Sequence, residues 1–465
     1  MRTILDDTIA AISTPLGEGG IGIVRISGKD AIEIVENIFK SPKGKKLTET
    51  KSHRVVYGYI VNPLNGEKID EVIVSIMKAP YSYTREDVVE INCHGGMITL
   101  RKTLELVISK GARLAEPGEF TKRAFLNGRI DLSQAEAVLD LIRSKTEESR
   151  KIALEQLQGN LSNRITTIRD NIIWACANLE SYIDFPEDEI EPLSKEEILN
   201  SIENCIIELE KLLKTYDEAR FFREGLLTAI VGRPNVGKSS LLNALLQKDR
   251  AIVTDIPGTT RDIIEEYLNI KGLPIRVIDT AGIRDVDNIA EKEGVKRSIK
   301  SIENSDLVIA LFDISEPLTN EDFEVIEKVK DKNTIYVLNK IDLTPFFSEK
   351  EFAQHINGNV KPIIKLSAIA GEGIDELKEK IIEVCIKDWK EEREGVVVSN
   401  IRHKIAIENS IISLKAALYS IKDKQPLEIT SIELRSALDK LGEIIGVVTT
   451  EDILNIIFEN FCIGK

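Results

Sequence analysis

The segment Gly232-Arg233-Pro234-Asn235-Val236-Gly237-Lys238-Ser239 fits G-x-x-x-x-G-K-[ST], the spacing that lets a loop hold phosphate. Backbone N–H groups in such a loop, together with those of the following helix, can surround phosphate oxygens. Lys238 can reach the β- and γ-phosphates, and the Ser239 hydroxyl can ligate Mg²⁺. The chemistry requires a strand before the loop and a helix after it. Leu226 to Val231 is an apolar run that supplies the strand, and Ser240 opens a helical pattern reaching Leu246.

Three later segments bear on which nucleotide is held. The apolar run Ile275 to Ile278 delivers Asp279-Thr280-Ala281-Gly282, where Asp279 can hold Mg²⁺ through water and Gly282 can offer its N–H to a γ-phosphate. Thr334 to Leu338 delivers Asn339-Lys340-Ile341-Asp342. A carboxylate at Asp342 can accept from the N1–H and exocyclic amine of guanine, whereas adenine has an acceptor at N1 and no 2-amino group. Ile363 to Leu366 delivers Ser367-Ala368-Ile369, whose backbone can bond the guanine oxygen. The four motifs, each at the end of an apolar strand, point to a GTPase and conflict with a P-loop ATPase.

Position 283, where a water-orienting glutamine would follow D-T-A-G, holds Ile283, which has no polar group for that task. The first switch, between the phosphate loop and Asp279, contains Thr254-Asp255-Ile256-Pro257-Gly258-Thr259-Thr260, in which no arginine can be assigned as a finger in cis. Asn235 offers a neutral amide oxygen suited to a weakly hydrated monovalent cation; its other reading is a residue that stabilises its own turn. Glu291, within Glu291-Lys292-Glu293, reads by itself as an exposed helix acid.

The elements around this block set the organisation. At 465 residues the chain has room for about three domains of ~150 residues. With 42% apolar and 30% charged residues it is neither disordered nor fibrous. From residue 1 to about 120, strands at Thr8 to Ile12, Ile21 to Ser27, Val55 to Val61, Glu71 to Met77 and Val88 to Asn92 alternate with helices at Asp30 to Lys40 and Met97 to Lys110. Long helices follow to about 220, with Leu161, Ile165, Ile168, Ile172, Ala175 and Leu179 on one stripe, interrupted by a loop at Asp184 to Pro192. Helices resume after about 391, at Ile405 to Ile421, Ser431 to Leu441 and Thr450 to Phe461, so the nucleotide block is inserted into a helical domain whose halves pack together. The fold class is therefore a multidomain α/β and all-α chain, with a doubly wound nucleotide domain.

Five separated cysteines, with no C-x-x-C pair, argue against a disulfide framework or zinc site. Cys93 and His94, adjacent on a strand, point to opposite faces and do not make a nucleophile pair. No basic-then-apolar leader or membrane-length apolar run is present, so a cytoplasmic location is expected. The net charge of -15 argues weakly against nucleic-acid binding over the whole surface, and residues 121–220 with 391–465 carry -10 of it.

Residues 221–388 resemble the Ras-like GTPases related to translation factors, and almost the whole chain resembles the MnmE (TrmE) family of tRNA modification GTPases. The wider resemblance rests on Gly17 to Gly28, Tyr83 to Gly96, Pro117-Gly118-Glu119-Phe120-Thr121, Arg123 to Gly128 and Cys462-Ile463-Gly464-Lys465. It implies an N-terminal folate-binding and dimerisation domain (1–120), a helical domain in two parts (121–220 and 389–465) and an inserted GTPase domain (221–388). The catalytic residues implied are Glu291, managing the attacking water indirectly, and Lys238. The implied nucleotide site comprises Asn235 to Ser240, Thr254 to Thr260, Asp279 to Gly282, Asn339, Lys340, Asp342 and Ser367 to Ile369. Mg²⁺ would take Ser239 and Thr260, and K⁺ would take Asn235, Thr254, Ile256 and Thr259. Arg25, Glu90, Arg129 and Lys465 would hold a tetrahydrofolate derivative, in 5-formyl or methylene form; the family more often has lysine where Arg129 stands. The resemblance further implies a homodimer acting with an FAD-containing MnmG (GidA)-type protein. GTP hydrolysis would support addition of an aminomethyl-type or carboxymethylaminomethyl group at C5 of the tRNA wobble uridine. A regulatory GTPase of ribosome assembly is the alternative, and the appended basic RNA-binding module it would need is not visible.

Overall fold

A computed structural model describes residues 7–184, 195–249, 266–278, 302–356, 361–386 and 395–465. The expected loop at Asp184 to Pro192 lies almost wholly outside them. The chain forms two compact units: one takes residues up to Leu139 and from Asp439 onward, and the other takes most of what lies between.

In the first unit seven strands form one sheet, in the order β3-β4-β5-β6-β2-β1-β7. They are β1 (Ile9–Ile12), β2 (Gly22–Ser27), β3 (Phe39–Lys40), β4 (Arg54–Val61), β5 (Lys68–Met77), β6 (Val88–Cys93) and β7 (Arg113–Leu114). Alternation decides which face is covered, because successive side chains on a strand point to opposite sides. Val24 and Ile26, Val72, Val74 and Ile76, and Val89, Ile91 and Cys93 enter the core. That core is closed by α1 (Ala31–Glu36) and α2 (Met97–Ser109). Their neighbours Arg25, Tyr57, Ile73 and Glu90 stand on the other face, half-buried or exposed.

The helix expected over Asp30 to Lys40 stops at Glu36, and Phe39–Lys40 instead pairs antiparallel with β4. Gly58 on β4 is the reason this fits: a Cβ there would lie 2.4 Å from the Phe39 ring. The side chain of Phe39 occupies the space that any other residue at 58 would fill.

The C-terminal helix α15 (Glu451–Phe458) packs on α3 (Glu119–Leu126), with Leu132, Leu454, Phe458 and Phe461 forming a shared apolar cluster. Ile463 then pairs with Pro117, which brings Gly464 and Lys465 to the sheet. Gly464 has φ 96°, and a Cβ would lie 2.4 Å from the Ile12 carbonyl oxygen, so glycine is required there.

The second unit holds α5 (Glu147–Leu157), α6 (Asn160–Asp184), α7 (Lys195–Lys214), α8 (Tyr216–Glu224) and α13 (Ile401–Lys422). Helices from before and after the nucleotide block meet within this unit, while residues 121–139 and 439–465, expected in the same helical domain, belong to the first unit. Helix α13 lies against α7, and Lys415 and Lys422 pair with Glu210 and Glu203 across the seam. Inserted between them is a six-stranded sheet in the order β13-β12-β11-β8-β10-β9. The strands are β8 (Leu226–Val231), β9 (Glu266–Ile270), β10 (Leu273–Ile278), β11 (Leu307–Asp313), β12 (Thr334–Asn339) and β13 (Ile363–Leu366). All pair in parallel except β9, which is antiparallel to β10.

Both faces of this sheet are covered, as a doubly wound fold requires. Ile230, Ile275, Ile309 and Val337 pack with α9 (Lys238–Asp249) and α12 (Ile374–Cys385). Val231, Val308, Phe312 and Tyr336 pack with α10 (Asn320–Val329) and α11 (Glu349–His355) on the other side. The motifs identify β8, β10, β12 and β13; β9 and β11 are added by the structure. No helix among the described residues is long and apolar enough to cross a membrane.

Candidate functional site

The described part of the nucleotide site lies where the parallel strands β8, β12 and β13 end, the end of an open α/β sheet at which ligands bind. Gly232 leaves β8, Asn235 turns the loop with φ 65°, and α9 begins at Lys238. Ser239 and Ser240 occupy its first turn. The Lys238 ammonium donates to the carbonyls of Gly232 and Arg233, both at 2.8 Å, so it is folded back over its own loop. Burial lowers its pKa, opposed by the charge of Glu321. An ammonium that is poorly hydrated and satisfied only by backbone carbonyls suits a phosphate.

The base-side segments are tied to this loop through one buried side chain. Asn339 donates from Nδ2 to the Val236 carbonyl at 2.7 Å and accepts at Oδ1 from Ala368 N–H at 3.0 Å. It is 2% exposed. A Cβ at Gly237, where φ is 103°, would lie 2.2 Å from Asn339 Nδ2, so the second glycine of the motif makes room for this bridge. Lys340 follows with φ 68°, and its ammonium pairs with Asp313 at the end of β11, 2.5 Å away. Burial raises the Asp313 pKa, but Lys340 and two bonds from Ser315 outweigh it, and the net shift is downward. The turn carries Asp342 into solvent. Ser367 caps its own loop by accepting from Ala370 N–H at 3.1 Å, and Ile369 is 82% exposed.

The structure thus brings together Asn235 to Ser240 with Asn339, Lys340, Asp342 and Ser367 to Ile369. Thr254 to Thr260, Asp279 to Gly282 and Glu291 lie outside the described residues. Sequence reasoning does not disclose the Asn339 bridge, although N-K-x-D identifies the residue, because the bond runs between segments about one hundred positions apart. Nor does it disclose that Arg233 pairs with Glu316 and approaches Asp322.

In the first unit, Arg25 on β2 stands opposite Glu90 on β6. The guanidinium Nε donates to Glu90 Oε1 at 2.8 Å and Nη1 to the Gly464 carbonyl at 3.1 Å. Lys465 is held alongside by Phe120 N–H, which donates to its carbonyl at 3.0 Å. Burial and the nearby Arg25 charge lower the Lys465 pKa. Two cations and one acid therefore share this corner, leaving it ready for a carboxylate. Arg129 lies apart from that pairing: it donates to the Tyr83 carbonyl at 3.2 Å and rests over the Tyr83 ring.

Cys93 is buried, its thiol pushed up to about 12 by burial, while His94 is exposed and bonded to Asp70 at 2.6 Å. Cys93 is the last residue of β6 and His94 lies just beyond it, so the strand position expected of His94 is not met, and the two differ in burial. Cys462 is exposed. Among the described residues no group of His, Cys, Asp or Glu is arranged to hold a metal.

Two family models match the chain: the MnmE helical domain over residues 132–462, and the N-terminus of GTP-binding protein TrmE over residues 8–129. The tRNA modification GTPase MnmE of Thermoanaerobacter pseudethanolicus is 51% identical over 459 residues, covering 99% of each chain. That of Clostridioides difficile is 50% identical over 461 residues, covering 99% of this chain and 100% of its own. Among solved structures, the G domain of the Thermotoga maritima FeoB iron transporter overlaps 34% of this chain and 96% of its own. That overlap is at 28% identity with a TM-score of 0.26.

Proposed function

The chain belongs to the MnmE family of tRNA modification GTPases, and on that premise we propose how its parts divide the work. It is a GTP-hydrolysing, tRNA-modifying enzyme. The single observation that most supports the nucleotide assignment is the Asn339 bridge, which joins the phosphate loop at Val236 to the base loop at Ala368. Phosphate and base recognition thereby become one rigid surface.

Lys238 reaches the β- and γ-phosphates, loop N–H groups from Asn235 to Ser240 surround them, and Asp342 accepts from the guanine N1–H and amine. The half-buried Lys238 ammonium and the glycine-containing loop fit a polyphosphate. Ser239 and Thr260 would hold Mg²⁺, which would offset phosphate charge. Asn235, Thr254, Ile256 and Thr259 would hold K⁺, which would supply positive charge of the kind an arginine finger provides in other GTPases. The Asn235 carbonyl-type side-chain oxygen suits such a cation. Glu291 manages the attacking water indirectly, in place of the glutamine absent at Ile283.

Residues 1–120 bind the tetrahydrofolate one-carbon donor and mediate a homodimer. Arg25, Glu90 and Lys465, which share one corner, hold one end of this donor through charged and hydrogen-bonding side chains, and Arg129 contributes a further cation. Residues 121–220 and 389–465 form the helical domain and 221–388 the GTPase domain. With an FAD-containing MnmG-type partner, in the cytoplasm, the enzyme adds an aminomethyl-type group at C5 of the wobble uridine. Opening and closing of paired GTPase domains controls that chemistry. Competition of GTP and ATP for hydrolysis, run in KCl and in NaCl at equal ionic strength, tests the nucleotide half of this reading. GTP alone should compete effectively and turn over faster in KCl. Effective ATP competition overturns the guanine assignment, and equal rates in the two salts overturn the K⁺ assignment.

A further inference from the structure

Arg233, the second residue of the phosphate loop, points its guanidinium away from the loop and toward the start of α10. Nη2 donates to Glu316 at 2.5 Å, and Nε makes an ion pair with Asp322 Oδ2 at 3.3 Å without donating a hydrogen bond. The two acids differ in setting: the Glu316 side chain is 54% exposed, whereas that of Asp322 is 2% exposed. Asp322 is also the N3 residue of the capping box of α10. Its Oδ2 accepts from Thr319 N–H and Thr319 Oγ1, both at 2.9 Å. Among the described residues its Oδ1 accepts no hydrogen bond. A carboxylate buried at that depth requires a compensating cation, and the Arg233 guanidinium is the one this geometry supplies.

The consequence reaches the chemistry through the backbone. The Arg233 carbonyl is one of the two that hold the Lys238 ammonium. Its position is set by a side chain clamped to α10, a rigid helix packed on the sheet through Ile326 and Val329. We propose that Asp322 and Glu316 are positioning residues for GTP binding: by clamping Arg233 they preorganise the phosphate loop and the carbonyl that orients Lys238. The inference rests on the GTPase reading above and adds to it two acids outside every nucleotide-binding motif.

Two opposing effects give the proposal its sign. Removing a carboxylate near a phosphate site relieves repulsion, which would tighten binding and fade with salt. Freeing the loop makes the nucleotide order it on arrival, which weakens binding and persists in salt. The clamp predicts that the second effect wins.

The test is GDP and GTP binding by fluorescent-nucleotide titration on the full chain, with steady-state turnover, for Asp322→Asn, Glu316→Gln and Arg233→Lys. Asn at 322 can still accept from Thr319, so the cap survives while the charge is lost. Asp322→Asn should weaken both nucleotides about 3–10-fold at low and high salt, with KM rising more than kcat falls. Glu316→Gln, a surface change that cannot disturb the core, should weaken them about twofold, and Arg233→Lys should lie between wild type and Asp322→Asn. Unchanged or tighter binding in Asp322→Asn overturns the inference. If that variant fails to fold, unchanged binding in Glu316→Gln and Arg233→Lys overturns it equally. Wild-type protein that binds no guanine nucleotide in the same titration would instead overturn the GTPase reading.

Discussion

Asp342 and Asn339 sit three positions apart and perform different tasks, and each makes a distinct prediction. Asp342 is exposed, and in the proposed site its carboxylate would accept two hydrogen bonds from guanine. Asn at that position would present one acceptor and one donor, which suits the N1–H and 2-carbonyl of xanthine. Asp342→Asn should therefore lose about 10–100-fold in GTP affinity, the loss expected for charge-assisted bonds, and gain xanthosine triphosphate, read by competition. Asn339 is a buried tie rather than a ligand. Asn339→Ala leaves the Val236 carbonyl and the Ala368 N–H without a partner, at about 1–3 kcal/mol each, and should lower the melting temperature even without nucleotide. The sequence makes Asp342 a candidate guanine reader because N-K-x-D stands in order with three other motifs, each at the end of a strand, and a carboxylate can accept from the guanine N1–H and amine. The tie at Asn339 is not legible, since its geometry exists only once β8, β12 and β13 lie side by side. Arg25 and Glu90 were legible only through family resemblance, as two ordinary residues on separate strands.

At the scale of elements, helix α5 shows how the inserted domain is seated within the second unit. Its N-cap Thr146 is followed by Ser149, whose hydroxyl donates to the Phe222 carbonyl at 2.6 Å, just before the chain enters β8. One turn on, Ile152 packs against the core beneath the nucleotide sheet. Arg223 of α8 meets Asp140 with both carboxylate oxygens within 3.0 Å of Nε. Ser149→Ala should cost about 1–3 kcal/mol by orphaning a buried carbonyl, and calorimetry should show the loss in the transition of the GTPase-containing unit. Periodicity revealed the helices here because their stripes are long. It overran α1, where the apolar residues Ile38 and Phe39 continue a helix-like pattern into a two-residue strand whose partner is twenty positions away. β11 gave no alternation to read, since all seven of its residues are buried.

The first unit carries its own electrostatic dependence through a buried arginine. Arg123, 1% exposed, pairs with Asp7, Glu86 and Glu119, and Glu119 also takes two bonds from Arg113. Burial pushes the Glu119 carboxyl up, but the bonds from Arg113, the Glu116 N–H and Arg123 outweigh it and hold the group below its usual range. A depressed carboxylate contributes stability above its unfolded-state pKa and loses it as pH falls through the folded value. Urea unfolding followed by circular dichroism should therefore weaken as pH drops below about 4.5, and Glu119→Gln should be destabilised at neutral pH while losing that acid dependence.

For the whole molecule, charge and fold converge on how tRNA is met. The helical segments hold -10 of a net -15, so this chain is suited to local contacts rather than a broad phosphate grip. Its own tRNA affinity should consequently show a shallow salt dependence, corresponding to few phosphate contacts, when measured by filter binding from about 50 to 200 mM salt. The central claim, that GTP hydrolysis here serves tRNA modification, is tested most directly by nucleoside mass spectrometry of tRNA from cells lacking the protein. Wobble uridines should lose their C5 aminomethyl-type substituent, regain it with the wild-type chain, and fail to regain it with Lys238→Ala. Wobble uridines that stay fully modified without the protein would contradict the account.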